Sequence, residues 1–173
     1  MFCFKTLEFI IMKIKVLITG GTIDKQYNPL TGELSFEQTQ LVDMLNRVHS
    51  MADTLSEVLF LKDSLEITDD SRALILSKCL VCKEDAILIT HGTDTMVETA
   101  KLLGKNIHDK TIVLFGAMVP YSINQSDALF NLGFALSSVQ TQKFGVYIAM
   151  NGQLFDFDKV QKNKALGVFE NIL

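Results

Sequence analysis

The apolar positions fall into two alternating textures. Ile14–Thr19 (IKVLIT) is a short apolar run closed by Gly20-Gly21, which predicts a buried strand. Ala86–Thr90 (AILIT), Thr111–Phe115 (TIVLF) and Val146–Met150 have the same character, and Leu55–Leu61 predicts a further strand. Between these runs the spacing becomes helical. Leu41, Met44, Leu45 and Val48 place a helix over Phe36–Val48. Thr68, followed by Asp69 and Asp70, predicts a capped helix reaching about Leu80. A further helix is expected over Thr95–Leu103, and another starts at Ser126 or Asp127 and runs to Ser138. Tyr27–Gly32 (YNPLTG) carries turn residues and predicts a loop. Strand–helix alternation of this kind predicts a three-layer α/β/α fold: a single domain with a mostly parallel, doubly wound sheet.

The chain has 173 residues, of which 48% are hydrophobic. That is enough to bury a core without disulfides or metal. Sixteen Lys and Arg against 20 Asp and Glu give a net charge of −4, without a basic cluster, which argues against nucleic acid as a partner. The three cysteines, Cys3, Cys79 and Cys82, do not form a secreted disulfide framework, so a cytoplasmic location is expected. Cys79-Leu-Val-Cys82 has redox-motif spacing but the wrong context, and reads as two small apolar residues near a helix end. The opening MFCFKTLEFIIMK is too short to span a membrane and lacks a signal-peptide cleavage site. Met12 begins MKIKVLITGG, so residues 1–12 are expected to be a start-site extension or tail and residues 13–173 the folded domain.

In open α/β sheets ligands bind beyond the carboxyl ends of the strands. The segments found there are Thr19–Asp24, Lys62-Asp63-Ser64, Thr90–Thr95, Gly116-Ala117-Met118 and Asn151-Gly152. They contain no phosphate-cradling glycine motif, no histidine pair at metal spacing and no Gly-x-Ser-x-Gly elbow. Threonine, serine, aspartate and a lysine remain, a set suited to acyl transfer through an activated hydroxyl. His91 reads as a structural residue of its turn.

TGGTID at Thr19–Asp24 and ITHGTDTM at Ile89–Met96 resemble the two signature motifs of the bacterial-type L-asparaginases. GAMVP at Gly116–Pro120, Phe130-Asn131 and the segment around Val160-Gln161-Lys162 are similar to that family as well. The resemblance implies that Thr22 is the nucleophile and that Thr93, Asp94 and Lys162 form its catalytic partners. It implies that Ser64, Gly21, Gly92, Ala117 and Tyr27 line the substrate. A lysine accepts a threonine proton only when neutral, a form that burial favours and a neighbouring carboxylate opposes. Backbone N–H groups after the glycines would hold the developing oxyanion, worth about 3–4 kcal/mol per donor. Asp94 would alternatively bind the substrate ammonium.

The expected activity is hydrolysis of the side-chain amide of L-asparagine, or a related small amide, without cofactor or metal, in a homo-oligomer. Three departures leave other readings open. The family's chains are about twice as long, with a smaller second domain that this sequence does not show. Leu65 stands beside Ser64 where the family commonly has a glutamine, and leucine neither donates nor accepts. Tyr27 is offset by about two residues from the family's first-loop tyrosine. A non-catalytic amino-acid-binding module and a subunit of a larger amidotransferase are the alternatives.

Overall fold

The computed structural model describes residues 12–172, so the expectation for the tail falls almost wholly outside it. In chain order the elements are β1 (Lys13–Gly20), β2 (Gln26–Asn28), β3 (Glu33–Ser35), α1 (Leu41–Arg47), β4 (Asp53–Lys62), α2 (Asp69–Val81), β5 (Ala86–Thr90), α3 (Met96–Asn106), β6 (Thr111–Phe115), α4 (Ala128–Thr141), β7 (Gly145–Met150), β8 (Gln153–Asp156), β9 (Val160–Asn163) and β10 (Val168–Asn171). Two 3-10 turns, Thr22–Asp24 and Ser64–Glu66, follow β1 and β4.

The main sheet has the order β4-β1-β5-β6-β7-β8. Every neighbouring pair from β4 to β7 is parallel, and only β8 runs antiparallel. The order reverses between β1 and β5, so this is the topological switch point where a crevice opens at the strand ends. Both threonine motifs leave the sheet here.

Residues along the central strands alternate between two cores, as pleating requires. Ile14, Val16 and Ile18 of β1, Leu88 of β5 and Phe115 of β6 pack with Leu41 and Met44 of α1 and Leu132 and Leu136 of α4. Leu17, Ile87, Ile89 and Leu114 point the other way, onto Ile75 and Cys79 of α2 and Ala100 and Leu103 of α3. Burial on both faces explains why these strands read as continuous apolar runs.

Several boundaries differ from the sequence expectation. The helix expected over 36–48 begins only at Leu41, because the preceding Thr39 and Gln40 bond the Asp24 carboxylate (3.0 and 2.8 Å). Part of the Tyr27–Gly32 loop is strand, since Gln26–Asn28 pairs with Glu33–Ser35. At α4, Asp127 sits in the cap position but does not cap, while Ser126 Oγ accepts from Ala128 N at 3.1 Å. Thr68 caps α2 as expected, accepting from Ser71 N at 3.3 Å. Beyond Met150 the chain turns at Asn151-Gly152, whose φ angles of 54° and 75° suit an Asn-Gly hairpin turn, and returns as β8.

The Cys79 thiol is buried in α2, and burial pushes it up to about 12. Such a thiol packs as an apolar group and carries little thiolate, which agrees with its reading as core rather than redox chemistry.

Candidate active site at the switch point

The two threonine loops are joined at their roots. The Thr19 hydroxyl donates to Thr90 O at 2.6 Å, and Thr19 N donates to Thr90 Oγ1 at 3.2 Å. These buried bonds lock the ends of β1 and β5 together just before both loops depart. Gly21 then passes against Gly92. Its φ is +85°, and a Cβ there would overlap the Gly92 backbone. Only glycine permits both the left-handed turn and this approach. Thr22 and Thr93 are the next residues on either side of that contact.

The loop after β4 closes the group from a third side. Ser64 is buried, and its hydroxyl accepts from Asp94 N at 3.2 Å. Thr95 occupies the cap position of α3, yet its hydroxyl donates to Ser64 O at 2.7 Å rather than capping the helix. Asp63 caps the turn containing Ser64 through Leu65 N at 3.1 Å and is paired to Lys25 at 2.5 Å. Lys25 beside it holds the Asp63 carboxyl below the usual carboxylate range.

The fourth contribution comes from far along the chain. In β9, Val160 and Lys162 share a face, and Val160 is buried among the α3-side core. Phe169 of β10, opposite Lys162 in register, packs its ring 6.4 Å from that of Phe155. This anchored hairpin delivers Lys162 Nζ to 2.7 Å from Thr93 Oγ1 and 2.7 Å from Asp94 Oδ1. The lysine side chain is 11% exposed and that of Asp94 36%. Lys162 thus belongs to the cluster, not to a solvated run of lysines. The Thr93 hydroxyl also lies 3.7 Å from Met118 Sδ.

His91 is fully buried between these loops. Its Nδ1–H donates to Gly92 O at 2.7 Å, which leaves Nε2 to accept from Thr99 Oγ1 at 2.8 Å. Burial lowers its pKa to about 4, so the ring is neutral at physiological pH and acts as a brace for the turn.

The remaining expected residues divide. Ala117 is buried in the α4-side core beneath the loop after β6. Tyr27 lies on the β2–β3 hairpin and is 60% exposed, with no described bond tying it to the threonines. Leu65 is 71% exposed beside Ser64 and helps line an open cavity of about 570 Å³ with Lys25, Phe36 and Asp63.

Sequence reasoning named Asp24, Asp127 and Asn131 but gave none of them a part in holding these loops. Asp127 accepts from Met118 N and Val119 N, each at 3.0 Å, so these N–H groups are already committed. Buried Asn131 donates to Gly116 O at 3.0 Å and accepts from Asn151 N at 3.0 Å, tying together the loops after β6 and β7. Asp24 braces the first loop. A buried polar residue on an apolar helix face, as at Asn131, was the available signal.

The family model described as asparaginase, N-terminal, matches residues 13–170. L-asparaginase 2 of Escherichia coli (strain K12) is 31% identical over 167 residues, covering 90% of this chain and 47% of its own. A glutamyl-tRNA(Gln) amidotransferase component of Thermococcus kodakarensis is 29% identical over 150 residues, covering 83% of this chain and 34% of its own. The solved structure of the thermostable L-asparaginase from Thermococcus kodakarensis superposes with a TM-score of 0.83 at 29% identity, covering 93% of this chain and 51% of that one. The chain therefore spans about half the length of the L-asparaginases it matches. With both motifs on one switch point and the family match running through the β9–β10 hairpin that carries Lys162, the chain belongs to the asparaginase family, through its N-terminal domain.

Proposed function

We propose that this chain carries the hydrolytic centre of an L-asparaginase-type amidohydrolase, acting on the side-chain amide of L-asparagine or a related small amide. The observation that carries this reading is Lys162, which reaches across 69 residues of sequence to bond Thr93 and, beside it, Asp94. Asp94 alone accounts for an ion pair; the second bond, to the buried Thr93 hydroxyl, is what suits the lysine to proton handling.

In this mechanism the Thr22 hydroxyl attacks the amide carbon and loses its proton to the Thr93–Lys162 pair. The tetrahedral intermediate collapses, the C–N bond breaks, and the departing nitrogen leaves as ammonia after taking that proton. Water then cleaves the threonyl ester to release the carboxylate and restore Thr22. Lys162 takes up the Thr22 proton, through the Thr93 hydroxyl, only as the neutral amine, so one proton must first leave the cluster to bulk water. Asp94, bound through Oδ1, keeps a second oxygen for a substrate ammonium. Ser64, Gly21, Gly92 and the backbone of Ala117 form the walls. Tyr27 completes the pocket only if its hairpin folds over substrate.

Residues 13–173 form the α/β unit, and a neighbouring copy in a homo-oligomer completes the substrate's surroundings. A cytoplasmic setting is part of this proposal. Among the described residues no helix is long and apolar enough to cross a membrane.

Ammonia release from L-asparagine by wild type, beside Thr22→Ala and Thr93→Ala, tests the activity. Turnover that disappears in both variants is expected; turnover retained in either refutes that residue's role. The likeness to the glutamyl-tRNA(Gln) amidotransferase component favours a second reading, a subunit of a larger amidotransferase. Ammonia release by the purified chain alone would count against it. Leu65 favours a third, ligand binding without turnover, which thermal stabilisation by L-asparagine without ammonia release would support.

A further inference from the structure

The turn that carries Thr22 ends on a residue that neither the threonine chemistry nor the core accounts for. Asp24 is 1% exposed. Its Oδ1 accepts from Gln40 N at 2.8 Å and from Thr39 Oγ1 at 3.0 Å. Its Oδ2 is buried and has no hydrogen-bond partner among the described residues. Burying a carboxylate with one oxygen empty is costly, and an apolar residue would avoid the cost. What the carboxylate does provide is a bridge. Its partners lie 15 and 16 residues further on, immediately before α1. Three other ties hold the same turn: Lys25 to Asp63 at 2.5 Å, Ser122 Oγ to Lys25 O at 2.9 Å, and Tyr121 N to Ile23 O at 3.4 Å. Among these ties, the Asp24 bridge is the one made by a side chain of the turn itself.

We propose that Asp24 is a positioning residue for Thr22: its carboxylate moors the nucleophile's turn to the start of α1 and so sets the reach of the Thr22 hydroxyl toward the Thr93 cluster. The inference rests on the nucleophilic role proposed for Thr22.

The bridge depends on ionisation. From the start of α1, Asp24 meets only the uncharged Thr39 and Gln40. Nearby charges are engaged elsewhere: Lys25 with Asp63, Asp43 with the Tyr121 hydroxyl, and Arg47 over the Tyr121 ring. With no cation to offset burial, the Asp24 pKa rises to about 6. The hydrogen bonds from Gln40 and Thr39 offset only part of the cost of burying the charge. The mooring is therefore tightest with the carboxyl protonated and loosens as pH rises through about 6.

The test compares wild type, Asp24→Asn and Asp24→Ala by amide hydrogen exchange over residues 22–25 and by kcat and KM for L-asparagine from pH 5 to 8. Asn keeps the Oδ1 acceptor without the charge; Ala removes the bridge. In Asp24→Ala, turn amides should exchange at least ~10-fold faster while β5 and β6 amides stay unchanged. Its kcat should fall ~10–100-fold with KM within about twofold. Asp24→Asn should fold and lose the decline in kcat that wild type shows as pH rises through about 6. Wild-type exchange in the turn of Asp24→Ala, or the wild-type decline in kcat above about pH 6 persisting in Asp24→Asn, overturns the proposal. If Asp24→Ala does not fold, turn exchange and the pH profile of Asp24→Asn decide alone. If wild type releases no ammonia, the activity reading fails separately, and turn exchange still decides whether Asp24 moors the turn.

Discussion

The two threonine loops meet at one backbone contact but are built on opposite principles. Thr93 is buried and its hydroxyl is bonded by Lys162, so side-chain electrostatics hold it. Thr22 is half-exposed and sits in a turn placed by the glycine contact, by Asp24 and by Lys25, with its own hydroxyl spared from the bracing. On the proposed mechanism, the difference separates two requirements of acyl transfer. A proton-handling group works best pre-positioned by charge, whereas an attacking hydroxyl must stay uncommitted until substrate arrives.

Removing each hydroxyl sharpens this contrast most. Thr22→Ala and Thr93→Ala should each lower ammonia release by roughly 10³-fold or more. Their stabilities should diverge, because Thr93→Ala takes an acceptor from a charged partner. Urea unfolding should show a loss of about 1.5–3 kcal/mol for Thr93→Ala and under about 0.5 kcal/mol for Thr22→Ala. Equal losses would show that the loops are not built differently.

Lys162→Met should lower kcat by ~10²–10⁴-fold, the range for losing acid–base assistance. Lys162→Arg should not restore it, since a rigid fork does not replace a point charge between Thr93 and Asp94. Full activity in Lys162→Met would leave β9 with only a packing role.

Gly21→Ala probes the contact itself. The added methyl meets the Gly92 backbone at a positive φ, so thermal unfolding should show a loss of about 3 kcal/mol. A wild-type Tm would mean that the loops separate at little cost.

The smallest effect concerns pH. Asp24 has its folded-state pKa raised from 3.8 to about 6 by burial. Its contribution to stability is therefore fully present below pH 3.8 and is lost as pH rises through about 6. The loss is at most about 3 kcal/mol. Asp63, depressed by Lys25, works in the opposite direction, its contribution disappearing as pH falls through its lowered range. Asp24→Asn should remove the first dependence and leave the second, as read from urea unfolding at pH 4, 5, 6 and 7.

Much of the fold was legible because its central strands are buried on both faces. Such strands must be apolar throughout, and the runs at Ile14, Ala86, Thr111 and Val146 stand out for that reason. The edge elements were less legible. β9 and β10 are four residues each and partly exposed, so neither alternation nor propensity marks them. The start of α1 was misplaced because a tertiary bond to Asp24 competes with helix continuation through Thr39 and Gln40.

The sequence by itself determined the alternation of strands and helices, the gathering of hydroxyls and glycines at one sheet edge, and the likeness to the asparaginases. These follow from local patterns, in which period and residue type carry the information. Only the tertiary structure decided that Lys162, grouped with Thr93 and Asp94 by the family likeness alone, bonds both directly, that Thr95 bonds the neighbouring loop instead of capping its helix, and that Asp24 is buried with one oxygen empty. Each depends on which distant segments the sheet order brings together and on how much water that packing removes, and neither quantity is a property of any short stretch of chain.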